Sequence, residues 1–277
     1  MGDATLFRQN DIDSPKRDRR NRVASPVDRQ MAPAFHAFDI QHLITLGIIA
    51  GISLLLAWKG RAENFRKWLG PLFGFALLSY AAVFYTHQGI VHALAWEYSL
   101  PLELCNLVLI ACIISLFRPN QFMTEVAYFC GLGGVLQATV TPDLSRGFPS
   151  WEFIQFFWSH GVTLMAIIFL IARPGFKPHR GSIWRMMLAL NVYGLMVGIL
   201  DAISGWNYGY LCRKPGEPSL LDFMGTWPWY LLSIEVIALV TFCILDLPWR
   251  ILEYSENRGQ ATQSPNSKRM RRKGSIR

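Results

Sequence analysis

The segment "LPLELCNL" brings a carboxylate, a thiol and an amide, Glu103, Cys105 and Asn106, to the opening of an apolar run. Further along, "WEFIQFFWSHG" carries His160 into another. A thiol buried in apolar surroundings is protonated and inert. An adjacent imidazole that takes its proton leaves a thiolate able to attack an acyl carbonyl. Cys105 and His160 are therefore the expected catalytic pair. Glu103 lies two residues from Cys105 and points to another helix face, so its expected role is to orient a partner. Asn106 or Gln137 can donate hydrogen bonds to a developing oxyanion. Asp143, Asp201, Trp229 and Glu235 complete the expected supporting and binding set.

Each residue also has a plainer role. Cysteine in a membrane helix packs as a small residue. Histidine hydrogen-bonds between helices. Other chemistries find less support. His87 and His92 are five residues apart and share no helix face, and no histidine pair has metal-ligand spacing. The chain has no GxSxG elbow, P-loop or GxGxxG. No metal or other cofactor is expected. The five cysteines form no CxxC. Cys105 and Cys112 stand roughly 10.5 Å apart on one straight helix, too far for a disulfide.

Seven apolar stretches must position these groups: 39–58, 71–89, 101–117, 121–140, 151–172, 186–203 and 227–247. None of the 27 Lys and Arg residues lies inside them. A basic side chain at mid-membrane costs several kcal/mol, and each stretch approaches the roughly 17–25 residues that span about 30 Å of hydrocarbon. The runs are continuous rather than alternating, so they read as helices. The predicted fold is all-α, a polytopic bundle of seven transmembrane helices over 39–247, between a disordered polar N-tail, 1–38, and a basic C-terminal tail, 248–277. The N-tail has no apolar segment of the signal-peptide kind. No lysine lies in a span to form a retinal Schiff base.

Loops after the first, third and fifth spans, with the C-tail, hold 4, 1, 4 and 8 Lys/Arg. Those after the second, fourth and sixth hold 0, 1 and 2, and the N-tail 7. The positive-inside rule puts the C-tail in the cytoplasm and the N-tail outside, within a cell membrane. Small-residue faces, Gly47 with Gly51, Cys130 with Gly134, and Asn191, Gly194, Gly198 and Asp201, read as helix-packing surfaces. The polar candidates fall in the outer half of the bundle. Cys105 lies about 6 Å deep, Glu235 about 12 Å and His160 about 13 Å, counting from the start of each span. Phospholipid esters sit at the top of that zone.

Four segments, "LPLELC", "YFCGLGGVLQATVTPDL", "FFWSHG" and "GTWPWY", resemble the YwaF-type integral membrane family, whose eukaryotic relatives include transmembrane protein 164. The resemblance covers roughly residues 39–247. It implies a seven-helix protein and, from the eukaryotic branch, phospholipid acyl transfer that forms polyunsaturated ether phospholipids. It also implies that a cysteine near the start of the third span and a histidine in the fifth form the active pair. Here those are Cys105 and His160. The polar tails carry no family motif.

The expected function is thus a phospholipid acyltransferase or transacylase. A transporter or permease using Glu235, Asp201 and His160, or a non-catalytic lipid-binding membrane protein, are the alternatives. The expected partners are membrane phospholipids, with anionic headgroups at the basic C-tail. No nucleic acid is expected.

Overall fold

The computed structural model describes residues 32–59, 62–91, 94–214 and 220–262. These residues are helical apart from loops and one isolated bridge between Ala34 and Arg146. The helices are α1 (Ile40–Lys59), α2 (Glu63–Ile90), α3 (Trp96–Ser99), α4 (Leu104–Phe117), α5 (Gln121–Cys130), α6 (Leu136–Val140), α7 (Trp151–Ile171), α8 (Ser182–Ser204) and α9 (Trp229–Thr262). A π-helical turn, Gly131–Val135, joins α5 to α6.

Local chemistry sets the boundaries. Asp39 Oδ1 accepts the His42 N–H at 2.8 Å, Asn120 Oδ1 that of Met123 at 3.0 Å, and Ser150 Oγ that of Phe153 at 3.1 Å. These polar residues stand where apolar runs begin and satisfy amides the first turn leaves open. Prolines 119 and 142 follow α4 and α6 closely, because the residue before proline is pushed out of the helical region. Gly205 ends α8 with φ 75°, a left-handed conformation that glycine adopts without strain.

Five helices, α1, α2, α7, α8 and α9, are long and apolar enough to cross a membrane. Their outer faces carry Ile44, Ile48, Leu195, Ile199, Val236 and Ile244, all more than half exposed. An apolar surface this continuous is incompatible with water on every side. The third expected span is a 14-residue helix, α4, because residues Leu100 to Glu103 form an irregular, bent stretch outside the helix, with Leu100 and Glu103 in extended conformation and Leu102 N–H bonded to Leu100 O at 2.8 Å. The fourth is helical throughout, but the π-turn divides it.

α7 is the hub. It packs against α1, α2, α4, α5 and the π-turn. Leu77, Val108, Cys112, Phe129 and Ile167 close the core. At Gly131 a Cβ would stand 2.3 Å from Ile167 Cδ1 and 3.2 Å from Val108 Cγ1, so any larger residue here would have to displace the Ile167 side chain where the π-turn meets α7 and α4. Ordered structure reaches into both expected tails. Phe35 N–H bonds Ser145 O at 3.1 Å and Gly147 N–H bonds Pro33 O at 2.9 Å, docking part of the expected N-tail. α9 runs through Pro248 to Thr262. The disorder expected of 1–31 and 263–277 lies outside the described residues.

His42 ties α1 to the end of α6. Its Nδ1 accepts the Phe38 N–H at 2.9 Å, so the ring carries its proton on Nε2, which donates to Thr139 O at 3.1 Å. The ring is fully buried among Phe35, Phe38 and Phe157. His42→Leu leaves both backbone groups without this partner, at about 1–3 kcal/mol for each buried group. A lower unfolding midpoint in detergent is the expected outcome; an unchanged midpoint would refute the tie.

Candidate functional site

Cys105 occupies the second position of α4, and the irregular segment that leads to it is clamped from several sides. Tyr193 on α8 donates its hydroxyl to Leu102 O at 2.6 Å. Tyr208 accepts the Leu100 N–H at 3.1 Å and donates to Trp96 O at 2.7 Å. Tyr85 on α2 donates to Ser99 O at 2.9 Å. Glu103 precedes α4 without capping it; its Oε2 instead accepts the Gly209 N–H at 2.9 Å. Gly209 has φ 60°, which suits glycine in this tight turn. The thiol thus sits at a helix start fixed by hydroxyl and amide donors from distant parts of the chain.

His160 sits in the third turn of α7, stacked on Phe156 with ring centroids 4.0 Å apart. Its Nδ1 lies 3.1 Å from Phe156 O and 2.9 Å from Ser159 Oγ. A carbonyl only accepts, so Nδ1 carries the proton and Nε2 holds the lone pair. That is the tautomer a general base requires. Among the described residues no hydrogen bond joins Cys105 to His160.

Tyr80 stands between their elements. It is buried on α2, donates to Gln155 Oε1 on α7 at 3.4 Å, and meets the Trp158 ring edge-on. Its hydroxyl is within electrostatic range of the Cys105 thiol. Tyr193 is likewise within range of Cys105, Glu103 and Asp201. Tyr80 and Tyr193 thus each lie within electrostatic range of Cys105, Tyr193 also of Glu103 and the buried Asp201, and Tyr80 reaches Gln155 on α7.

The other expected residues are arranged differently. Glu235 accepts from Asn191 Nδ2 at 3.0 Å, between α9 and α8, and has no hydrogen bond to Cys105 or His160. Gln137 and Asp143 are exposed, as is Trp229. Asn106 is half-buried in the first turn of α4. The sequence reading passed over Tyr80, Tyr193 and Tyr208. Their signal was a phenol inside or beside an apolar run, "LLSYAAVFY", "NVYGL" and "WNYGY", where a hydroxyl must find a partner.

Long helices with outward apolar faces, and polar groups turned toward one another, define a multi-pass integral membrane protein. A sequence model of the TMEM164 family matches residues 37–246, and the chain belongs to that family. No curated protein and no solved structure matches it.

The Glu103–Gly209 bond generates a prediction. A hydrogen bond to a charged acceptor is worth about 1.5–3 kcal/mol. Glu103→Ala is expected to speed amide hydrogen exchange at the turn around Gly209 by about tenfold or more. Exchange at the wild-type rate would show that the carboxylate does not hold the turn.

Proposed function

We propose that this protein is a phospholipid acyltransferase that works through an acyl-thioester on Cys105, with His160 as the general base and acid. One arrangement supports the reading above others. α4, which begins at the thiol, packs on α7, whose imidazole is held through Nδ1 with the Nε2 lone pair unengaged.

In the first half-reaction, Nε2 accepts the thiol proton as Sγ attacks the acyl carbonyl of a phospholipid. The tetrahedral intermediate collapses with cleavage of the ester C–O bond. The imidazolium returns the proton to the departing lysolipid oxygen. In the second, an acceptor lysolipid hydroxyl gives its proton to Nε2 and attacks the thioester, and the released thiolate recovers that proton. The two ester exchanges balance without oxidant, reductant or cofactor. Water as acceptor would give a fatty acid instead. Catalytic contacts are commonly long before substrate binds and shorten in the complex. Tyr80, within electrostatic range of the thiol, is a candidate donor to the carbonyl oxygen in addition to Asn106.

Access is from the side. Leu107 and Ile110, within two turns of Cys105 on α4, are 36% and 38% exposed, so an acyl chain can lie along the same helix. We further propose that α4, with the irregular residues before it, and the α5–π-turn–α6 segment also cross the bilayer, giving seven crossings. In that topology the charge distribution sets the C-terminal tail in the cytoplasm and the Cys105 end outside.

Purified protein in detergent with a labelled-acyl phospholipid donor and a lysophospholipid acceptor tests the reading. Cys105→Ala is expected to abolish transfer. His160→Ala is expected to slow it by about 100-fold or more, the range general-base catalysis supplies. Transfer at the wild-type rate in either variant would remove that residue from the mechanism. Binding of lipid with no turnover in the wild type would replace the enzyme with a lipid-binding protein.

A further inference from the structure

A threonine in a helix commonly gives its hydroxyl proton to the carbonyl one turn back. Thr45, Thr124, Thr139 and Thr141 do so, at 2.8, 2.8, 2.7 and 3.0 Å. Thr163, midway along α7, does not. It is 1% exposed, and among the described residues its Oγ1 has no hydrogen-bond partner. A buried hydroxyl left unpaired is costly, and valine has the same shape without that cost. The nearby hydroxyls are already committed. Ser159 donates to Phe156 O at 2.9 Å, Tyr193 to Leu102 O at 2.6 Å and Tyr80, over a longer 3.4 Å, to Gln155 Oε1.

His160, Thr163 and Ile167 recur at i, i+3 and i+7, so they share one face of α7. Contacts fix where that face looks. Ile167 and Val108 meet at Gly131, where an added Cβ would stand 2.3 and 3.2 Å from them. The face is therefore turned to α4 and the π-turn. Gly161, on a different face, lies against Ile49 of α1. α4 and α7 run in the same direction, because Leu116 and Phe169, further along each, meet around Gly70 of α2. From the level of Gly131, Cys105 lies three residues toward the start of α4, about 4.5 Å. Thr163 lies four residues toward the start of α7, about 6 Å. The hydroxyl is thus level with the thiol to within about 2 Å, and His160 follows about 4.5 Å beyond it along α7. The π-turn that closes this space is a device that recurs at functional sites.

We infer that Thr163 is a further catalytic residue, whose hydroxyl donates to the carbonyl oxygen of the acyl ester as Cys105 attacks. The inference rests on the acyl-transfer reading and adds to it a donor whose proton is uncommitted before substrate arrives. No proton leaves the threonine. As Sγ bonds the carbonyl carbon, the C=O π pair moves onto oxygen and the hydrogen bond from Oγ1 strengthens. It weakens again when the ester C–O bond breaks and the carbonyl re-forms, and it serves the thioester carbonyl in the same way in the second half-reaction. Because the bond reaches full strength only with the charged oxygen, its loss lowers kcat and kcat/KM together and leaves KM unchanged.

Acyl-transfer kinetics and unfolding midpoints of the full chain in detergent test it, with Thr163→Val, Thr163→Ser, Thr163→Ala and Ser115→Ala. Ser115 is the control. Its hydroxyl is also buried without a partner among the described residues, but it lies ten residues along α4 from Cys105, about 15 Å away. Thr163→Val is expected to lower kcat by about 100-fold, as loss of an oxyanion donor does, with KM unchanged and a midpoint at or above the wild type. Thr163→Ser, which keeps the hydroxyl, should restore turnover, and Ser115→Ala should leave it unchanged. Should valine not fold at this position, Thr163→Ala must show the same loss of kcat. Wild-type kcat in Thr163→Val or Thr163→Ala, while Cys105→Ala is dead, would overturn the role of Thr163 and leave the thioester mechanism standing. An equal loss of kcat in Ser115→Ala, or a lowered midpoint with no rescue by serine, would mark the threonine as structural and overturn it too. Absence of turnover in the wild type would overturn both this inference and the reading beneath it.

Discussion

A carbonyl oxygen that leaves a helix inside hydrocarbon has no water to turn to, and leaving it unpaired costs several kcal/mol. In this chain tyrosine hydroxyls repeatedly donate to backbone carbonyls, most of them outside the long helices. Tyr85 serves Ser99 O, Tyr193 serves Leu102 O, Tyr208 serves Trp96 O, Tyr128 serves Leu245 O, and Tyr230 serves Tyr210 O. The phenol suits the task because its ring packs with the apolar core while one hydroxyl remains to donate. Each of these bonds joins residues far apart in the bundle or pins an irregular stretch that could not otherwise persist there.

That requirement also shapes the proposed reaction centre. The segment before α4 is irregular, so its backbone groups find partners outside any helix ladder. Tyr193, Tyr208 and Gly209 supply or receive those bonds, and in doing so they fix where α4 begins and hence where Cys105 stands. At the opposite end the same demand is met with charge. Buried Glu125 receives the Gln121 side chain, the His179 N–H and, at longer range, Arg185. Arg250 holds Asp246, Glu253 and the carbonyls of Pro178 and His179. The loop between α7 and α8 is thereby strapped to α5 and α9.

Hydropathy made the five long helices legible, because hydrocarbon excludes lysine and arginine far more strictly than a soluble core does. It extended the third helix too far, since an apolar composition does not reveal that Pro101 to Glu103 stay irregular. The π-turn was hidden for a similar reason: "GLGGV" reads as helix packing, and only the approach of Ile167 to Gly131 shows what its missing side chain permits. Pro248 reads as a helix end, yet α9 continues past it, tied down by ion pairs from a loop about 70 residues earlier. Of the proposed site, Cys105, Glu103 and His160 are drawn from polarity inside apolar runs. Tyr80 and Tyr193 are not, because a lone tyrosine in such a run looks like an ordinary interfacial aromatic. Glu235 looked like the costliest burial in the chain, but its cost is offset by one side-chain amide on α8, which a single sequence does not pair with it.

The account turns on a covalent bond between the Cys105 sulfur and a fatty acyl group. Intact-protein mass spectrometry after brief incubation with phospholipid, quenched in acid and without acceptor, detects it directly. The account predicts a mass increase of one acyl chain, located to the peptide bearing Cys105, lost on treatment with neutral hydroxylamine and absent from Cys105→Ala. Acyl transfer that proceeds with no adduct at any time, or an adduct that persists in Cys105→Ala, would contradict it.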